Sequence, residues 1–272
     1  MSEALSITSP PPRRRAGRAL RAFSTALLVL GALVLLDAAV TLVWQEPLSA
    51  LYATLQQDRL RDALHRLEAA APPAPERAQL ARLADERRRV EFLAAALARR
   101  AAPGSAVGSI RIPRLGADYV VVYGTGVAEL ERGPGIYTPS SYPGTRLPGL
   151  GGTTAIAGHR TTFLAPFRHI DELRRGAEIY VDMPYAHFTY TVTGQHAVSP
   201  ADVGLAVANV GYPRLVLSAC TPPFSAAERL LVFARLTRVV PVGAALPPPA
   251  LTPLRHPVPL PLRPAPLPQL QG

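Results

Sequence analysis

The chain has 272 residues, with 29 basic and 19 acidic side chains, one cysteine, 30 prolines and 48% apolar residues. A single cysteine excludes an intrachain disulfide framework and any zinc site built from several cysteines, and the length allows one or two domains. Every basic residue is Arg, and the formal charge of +10 sits mainly at the ends: residues 1–21 hold five Arg against one Glu, residues 104–242 only twelve Arg against nine acids. With no interleaved aromatics for stacking bases, the charge does not describe a nucleic-acid surface.

Residues 1–21 are basic and Pro-containing, and a disordered tail on the cytoplasmic side is expected. Residues 22–44 form a run of 23 in which only Asp37 is charged, closed by Trp44. At about 1.5 Å per residue the run is long enough to cross a bilayer. Five Arg precede it and the next fourteen residues contain none, which predicts a single-pass anchor in the cell membrane with the rest of the chain outside. A cleaved signal peptide is the alternative, but its apolar core is shorter, about 7–15 residues. Asp37 is expected near the outer third of the span, reaching water.

Residues 46–69 (with Leu48, Leu51, Tyr52, Leu55, Leu60, Leu64 and Leu67) and 76–100 (with Leu80, Leu83, Val90, Leu93 and Leu97) have the spacing of amphipathic helices. The run Ala71-Pro72-Pro73-Ala74-Pro75 breaks them apart. The expected role of 45–103 is a stalk that lifts a domain off the membrane; a coiled-coil dimer or a cover over an active site are the alternatives. From Pro103-Gly104 the chain turns β-branched and aromatic, in short segments separated by turn residues, over about 140 residues. That pattern predicts an all-β sandwich or barrel with its own core, spanning 104–242. Residues 243–272 hold ten prolines and are expected to be an extended tail without a core.

Three residues carry candidate chemistry. Cys220 ends the strand-like run Arg214-Leu215-Val216-Leu217-Ser218-Ala219-Cys220, which Thr221-Pro222-Pro223 stops. Arg229 opens the next strand nine residues on. Antiparallel pairing would bring it back beside Cys220, where a guanidinium favours a thiolate and binds a developing oxyanion. A thiol at its ordinary pKa is only a few per cent thiolate at neutral pH, so a nucleophile needs such help. His159 closes another strand after Gly158 and offers the proton that a leaving amine needs. Alone, each has a structural reading: a buried Cys as a small hydrophobe, Arg229 as a solvated strand-end charge, and one His among six. His65 falls on the helical segment, His187 and His196 on a hairpin, and His256 in the tail.

Together with the anchor and the all-β domain, these residues resemble the sortases, membrane-bound cysteine transpeptidases of Gram-positive bacteria. The resemblance rests on Gly108-Ser109-Ile110-Arg111-Ile112-Pro113, on Tyr142-Pro143-Gly144-Thr145 with Leu147-Pro148-Gly149, and on Ile156-Ala157-Gly158-His159-Arg160-Thr161-Thr162. Pro166-Phe167, Leu173-Arg174-Arg175-Gly176 and Leu215-Val216-Leu217-Ser218-Ala219-Cys220-Thr221-Pro222 with Arg229 continue it. The details after His159 and Cys220 look most like the actinobacterial class E group. The resemblance implies a closed eight-stranded β-barrel, with Cys220 as nucleophile, His159 as general acid and base and Arg229 as oxyanion stabiliser. It implies cleavage of an LPxTG- or LAxTG-like sorting signal between Thr and Gly through a thioester. The partners implied are secreted proteins with a C-terminal sorting signal, and a peptidoglycan-precursor or pilin amine as acceptor. No cofactor or metal is implied. One position departs: Ala219 stands where the family has Thr, which leaves the sorting motif open. An L,D-transpeptidase is a poor match, because its Arg stands two residues after the Cys, where this chain has Pro222. A hydrolytic cysteine protease and a non-catalytic, wall-associated scaffold remain as alternatives.

Overall fold

The computed structural model describes residues 14–43 and 47–242. The basic segment 1–13, Trp44 and the Pro-rich tail 243–272 lie outside the described residues. Helix α1 spans Arg14–Val43, so helix begins inside the segment expected to be a disordered tail. Its stretch Leu20–Ala39, with a mean hydropathy of 2.1, is long and apolar enough to cross a membrane and is exposed throughout.

Helix α2 (Pro47–Ala69) starts on a proline, whose missing N–H costs nothing at a helix N-terminus, and stops before Pro72 and Pro73. The second helical segment is divided into α3 (Ala74–Leu80) and α4 (Glu86–Arg100). The division is explained by Asp85, which caps α4 by accepting a 2.8 Å hydrogen bond from the Arg87 N–H. Arg100 then ties the end of α4 back to α3 through both oxygens of Glu76, at 2.6 and 2.7 Å.

Eight strands follow: β1 (Ala106–Ile112), β2 (Ala117–Tyr123), β3 (Gly135–Ile136), β4 (Thr153–Ala157), β5 (Glu178–Met183), β6 (Ala186–Val198), β7 (Arg214–Thr221) and β8 (Glu228–Pro241). They close into a barrel in the order β1-β2-β3-β4-β7-β8-β6-β5, as the eight-stranded expectation required. Most neighbours are antiparallel; β2–β3 and β4–β7 are parallel. The barrel interior holds Ile110, Ile112, Val121, Ile156, Phe188, Tyr190, Leu215, Leu217 and Val232. Strand β2 is covered on both faces: Val121 points into the barrel, and Val120 and Val122 pack with Leu60 and Leu64 of α2. This accounts for its unbroken Val-Val-Val run, which a strand with one wet face would interrupt.

The helices before the barrel do not stand apart from it as a stalk. On α4, Val90, Ala94 and Leu97 are buried in the main core. On α2, Gln57 completes the open edge of β2, where β3 reaches only Val122 and Tyr123. Its amide nitrogen donates to the carbonyls of Val120 (3.1 Å) and Arg132 (2.8 Å), and its amide oxygen accepts from the Val120 N–H (2.8 Å). Amphipathic spacing reports that one face is buried; here the barrel wall is what buries it.

Candidate active site

Three neighbouring strands, β4, β7 and β8, place the three residues singled out in the sequence. The parallel ladder of β4 and β7 ends with Ala157 opposite Ser218, and the Gly158 N–H donates to the Ser218 carbonyl at 3.0 Å. His159 and Cys220 therefore leave their strands at the same end. In the antiparallel ladder of β7 and β8, Cys220 lies directly opposite Arg229. Directly paired residues project to the same side of a sheet, so the thiol and the guanidinium share one face.

Alternation along β7 decides what else lines that face. Leu215, Leu217 and Ala219 belong to the barrel interior. Ser218 and Cys220 project outward, next to Tyr137, whose phenol hydrogen-bonds Ser218 and lies near the Arg229 guanidinium. Burial pushes the Tyr137 phenol up, and the Ser218 hydrogen bond works against that rise. Ala219 is thus a core residue that does not line the face carrying the thiol. Arg229 is half-buried, and its Nη1 donates to the carbonyls of Ala226 (3.0 Å) and Glu228 (3.1 Å) in the β7–β8 connection.

His159 is half-buried too. Burial pushes its pKa below the usual 6.5, and the nearby Glu131 carboxylate partly offsets this. Its Nε2 is one of two buried side-chain polar atoms without a hydrogen-bond partner among the described residues. Gly158 is required by packing: a Cβ there would meet the Phe167 ring at 2.7 Å. The segment 163–165 runs through three consecutive residues with left-handed φ values of 49°, 65° and 40°, a conformation that costs non-Gly residues free energy. It brings the Phe163 ring within 5.3 Å of the His159 ring, and Tyr52 of α2 packs edge-on against Phe163 at 6.5 Å.

Arg160, part of the family-like motif but given no role from sequence, joins the two halves of the site. Its Nη1 donates to Thr221 Oγ1 (3.0 Å), next to Cys220; its Nε donates to the Arg168 carbonyl (3.2 Å); its Nη2 pairs with Asp171 (2.5 Å). Three other described histidines have carboxylate partners: His65 pairs with Glu68, His169 with Glu172 and His187 with Asp182. Exposed His196 lies in β6, and His256 is outside the described residues. No three His, Cys, Asp or Glu side chains among the described residues are grouped to hold a metal ion. A cavity of about 270 Å³ lies between α4 and the barrel, lined by Val90, Leu147, Phe188, Tyr190 and Leu236. None of Cys220, His159 and Arg229 lines it, so the strand-end cluster is the candidate site.

A family model described as Sortase domain matches residues 110–237. Sortase D of Bacillus subtilis is 31% identical over 119 residues, covering 44% of this chain and 56% of the relative. The chain spans about half the length of the curated relatives it matches. Sortase E from Streptomyces avermitilis, a solved structure, is 32% identical and covers 54% of this chain and 97% of its own, with a TM-score of 0.46. The Clostridium perfringens sortase D5 transpeptidase, at 21% identity, covers 66% of this chain and 98% of its own with a TM-score of 0.52, a likeness of fold. Residues 110–237, the barrel that carries the three strand-end residues, thus match the Sortase domain, and the curated relatives are sortases as well.

Proposed function

We propose that this protein is a membrane-anchored cysteine transpeptidase that cleaves an LPxTG- or LAxTG-like sorting signal between Thr and Gly and joins the freed carboxyl end to an amine. The observation that carries this reading is the strand register: one parallel and one antiparallel ladder bring His159, Cys220 and Arg229 to the same end of adjacent strands. Cys220 attacks the Thr carbonyl, and the N–H groups of Arg229 stabilise the tetrahedral oxyanion. Burial holds His159 toward neutral imidazole, so the proton that the leaving Gly amine needs is the one Cys220 gives up, passed through His159. The C–N bond breaks, a thioester forms and the amine leaves neutral. An acceptor amine then attacks the thioester, His159 takes its proton, and the thiol is restored as the new amide forms.

The acceptor is an amine of a peptidoglycan precursor or a pilin, and α1 holds the enzyme in the cell membrane with the barrel outside, where a secreted substrate and a lipid-linked acceptor meet. The test is incubation of the full chain in nanodiscs with fluorogenic LPxTG and LAxTG peptides, with and without an added amine, beside Cys220→Ala. Cleavage that needs Cys220 and yields amine-joined product is expected. Cys220-dependent cleavage without transfer would make the protein a hydrolase. No cleavage together with a thiol inert to a methanethiosulfonate reagent would make it a scaffold.

A further inference from the structure

Helix α2 changes character halfway along. Its inward face is continuous: Ala53, Gln57, Leu60 and Leu64 are all buried against the barrel. Its outward face is not. From Asp58 onward it carries exposed Asp58, Arg59, Arg61, Asp62, Arg66 and Glu68, the ordinary pattern of a helix with water on its outer side. Residues 47–57 contain no charged side chain at all. In that half the large outward side chains are Leu51, Tyr52 and Leu55, exposed by 59%, 43% and 52%, with exposed Thr54 bonding its hydroxyl back to the Ala50 carbonyl. Spaced i, i+1 and i+4, the three large side chains form one apolar patch. A water-facing helix surface does not need three large apolar side chains in a row; something apolar covers them.

The chain itself identifies the cover. Only residues 44–46 separate α1 from α2. Three extended residues span about 11 Å at most. Leu55 is the ninth residue of α2, about 13 Å along its axis. The apolar half of α2 is therefore held within reach of the membrane boundary, and its charged half is the half farther along the chain from α1. We infer that the Leu51–Tyr52–Leu55 face of α2 rests in the lipid interface, so that α2 lies between the bilayer and the barrel wall. This rests on α1 being a membrane span. It also sets the orientation of the site. Tyr52 touches Phe163, and Phe163 covers His159, so the His159 side of the candidate site is carried on the lipid-facing end of α2.

Single-tryptophan reporters test this in the full chain. Trp44 is the only tryptophan, so Trp44→Phe gives a dark background into which Leu30→Trp, Leu55→Trp or Arg66→Trp is introduced. Each variant is placed, one copy per disc, in phosphatidylcholine–phosphatidylglycerol nanodiscs with or without brominated acyl chains. The expected result is that Leu30→Trp and Leu55→Trp each lose emission about twofold or more to bromine, while Arg66→Trp does not. Quenching of Leu30→Trp with Leu55→Trp as bright as Arg66→Trp would overturn the lipid contact and leave the anchor standing; the patch would then face water or another protein. Quenching of Leu55→Trp alone would keep the contact and remove the anchor. Quenching of neither would overturn both. One copy per disc excludes a second copy of this chain as the cover.

Discussion

A guanidinium buried as deeply as that of Arg160, 5% exposed, needs acceptors inside the protein, and it finds three on two segments: Thr221 beside Cys220, and the Arg168 carbonyl and Asp171 in the β4–β5 connection. Arg160 thereby fixes the end of β4 to the end of β7, and with it the position of His159 relative to Cys220. Arg160→Met keeps the length of the side chain and removes these bonds. The expected cost is about 1–3 kcal/mol, toward the lower figure because Asp171 is half exposed and screened by water. Peptide cleavage should fall by more than the labelling of Cys220, because the thiol stays in place while His159, its proposed proton acceptor, is displaced. Equal losses in both would mark Arg160 as structural only. His159 makes a pH prediction. Its pKa in the folded protein lies below 6.5, its usual value, because burial disfavours the imidazolium. The unfolded chain therefore binds this proton first as pH falls. The contribution of His159 to stability is present above about pH 6.5 and is lost as pH drops through the folded value. Between pH 7.5 and 5.5 the urea midpoint of the protein should fall more steeply than that of His159→Asn. Parallel slopes would mean that His159 is solvated in the folded state.

At the scale of elements, Gln57 stands in for a strand. The edge of β2 at Val120 is left open by the two-residue β3, and one amide side chain satisfies a backbone N–H and two carbonyls there. Gln57→Leu keeps the volume and leaves those groups buried without partners. The expected loss is about 1–3 kcal/mol, with faster hydrogen exchange at the Val120 amide. An unchanged midpoint would show that water reaches this edge. The difference between what the sequence disclosed and what it did not is a difference in range. Strands β4, β7 and β8 were legible because β-branched runs with turn residues between them are local signals, and the Cys220–Arg229 pairing followed from one antiparallel connection. The Val-Val-Val run of β2 also carried a local message, burial on two sides. The partner covering its outer face, α2, is remote in the chain: Gln57 and Val120 are 63 residues apart. Arg160 and Thr221 are separated by 61 residues, and no spacing rule connects them. The same holds for Tyr137 against Ser218 and for Phe163 over His159. The apolar spacing in 46–100 marks amphipathic helices but not the break at 81–85 that divides the second, and periodicity is silent on whether a buried face meets water-excluding protein, a second chain or a membrane.

At the scale of the molecule, the question is whether the barrel is a unit without the helices before it. The junction is knitted on both sides. The Gly104 N–H donates to the Tyr123 carbonyl (2.8 Å), the Tyr123 N–H to the Ser105 carbonyl (2.8 Å), and Arg132 Nη1 to the Gly104 carbonyl (2.8 Å). Beyond the junction, Val90, Ala94 and Leu97 fill one side of the main core, and Leu60 and Leu64 cover the outer face of β2. Removing residues 1–103 would uncover both faces and open the edge that Gln57 closes. Losing several large buried side chains at about 1.5–3 kcal/mol each exceeds the margin of an ordinary domain. A fragment of residues 104–242 is therefore expected to be insoluble or to melt at least about 10 °C below a fragment of residues 47–242. Leu97→Ala within the longer fragment should cost about 2–5 kcal/mol, as for any leucine removed from a packed interior. Limited proteolysis of the native chain supplies the independent reading: the tied segment 101–105 should resist cleavage while the exposed turn between α2 and α3 is cut. Rapid release of a barrel that melts at an unchanged temperature would return residues 47–100 to the role of a spacer. It would also loosen the link between the lipid-facing end of α2 and the loop over His159, because a helix that swings free of β2 cannot hold Tyr52 against Phe163.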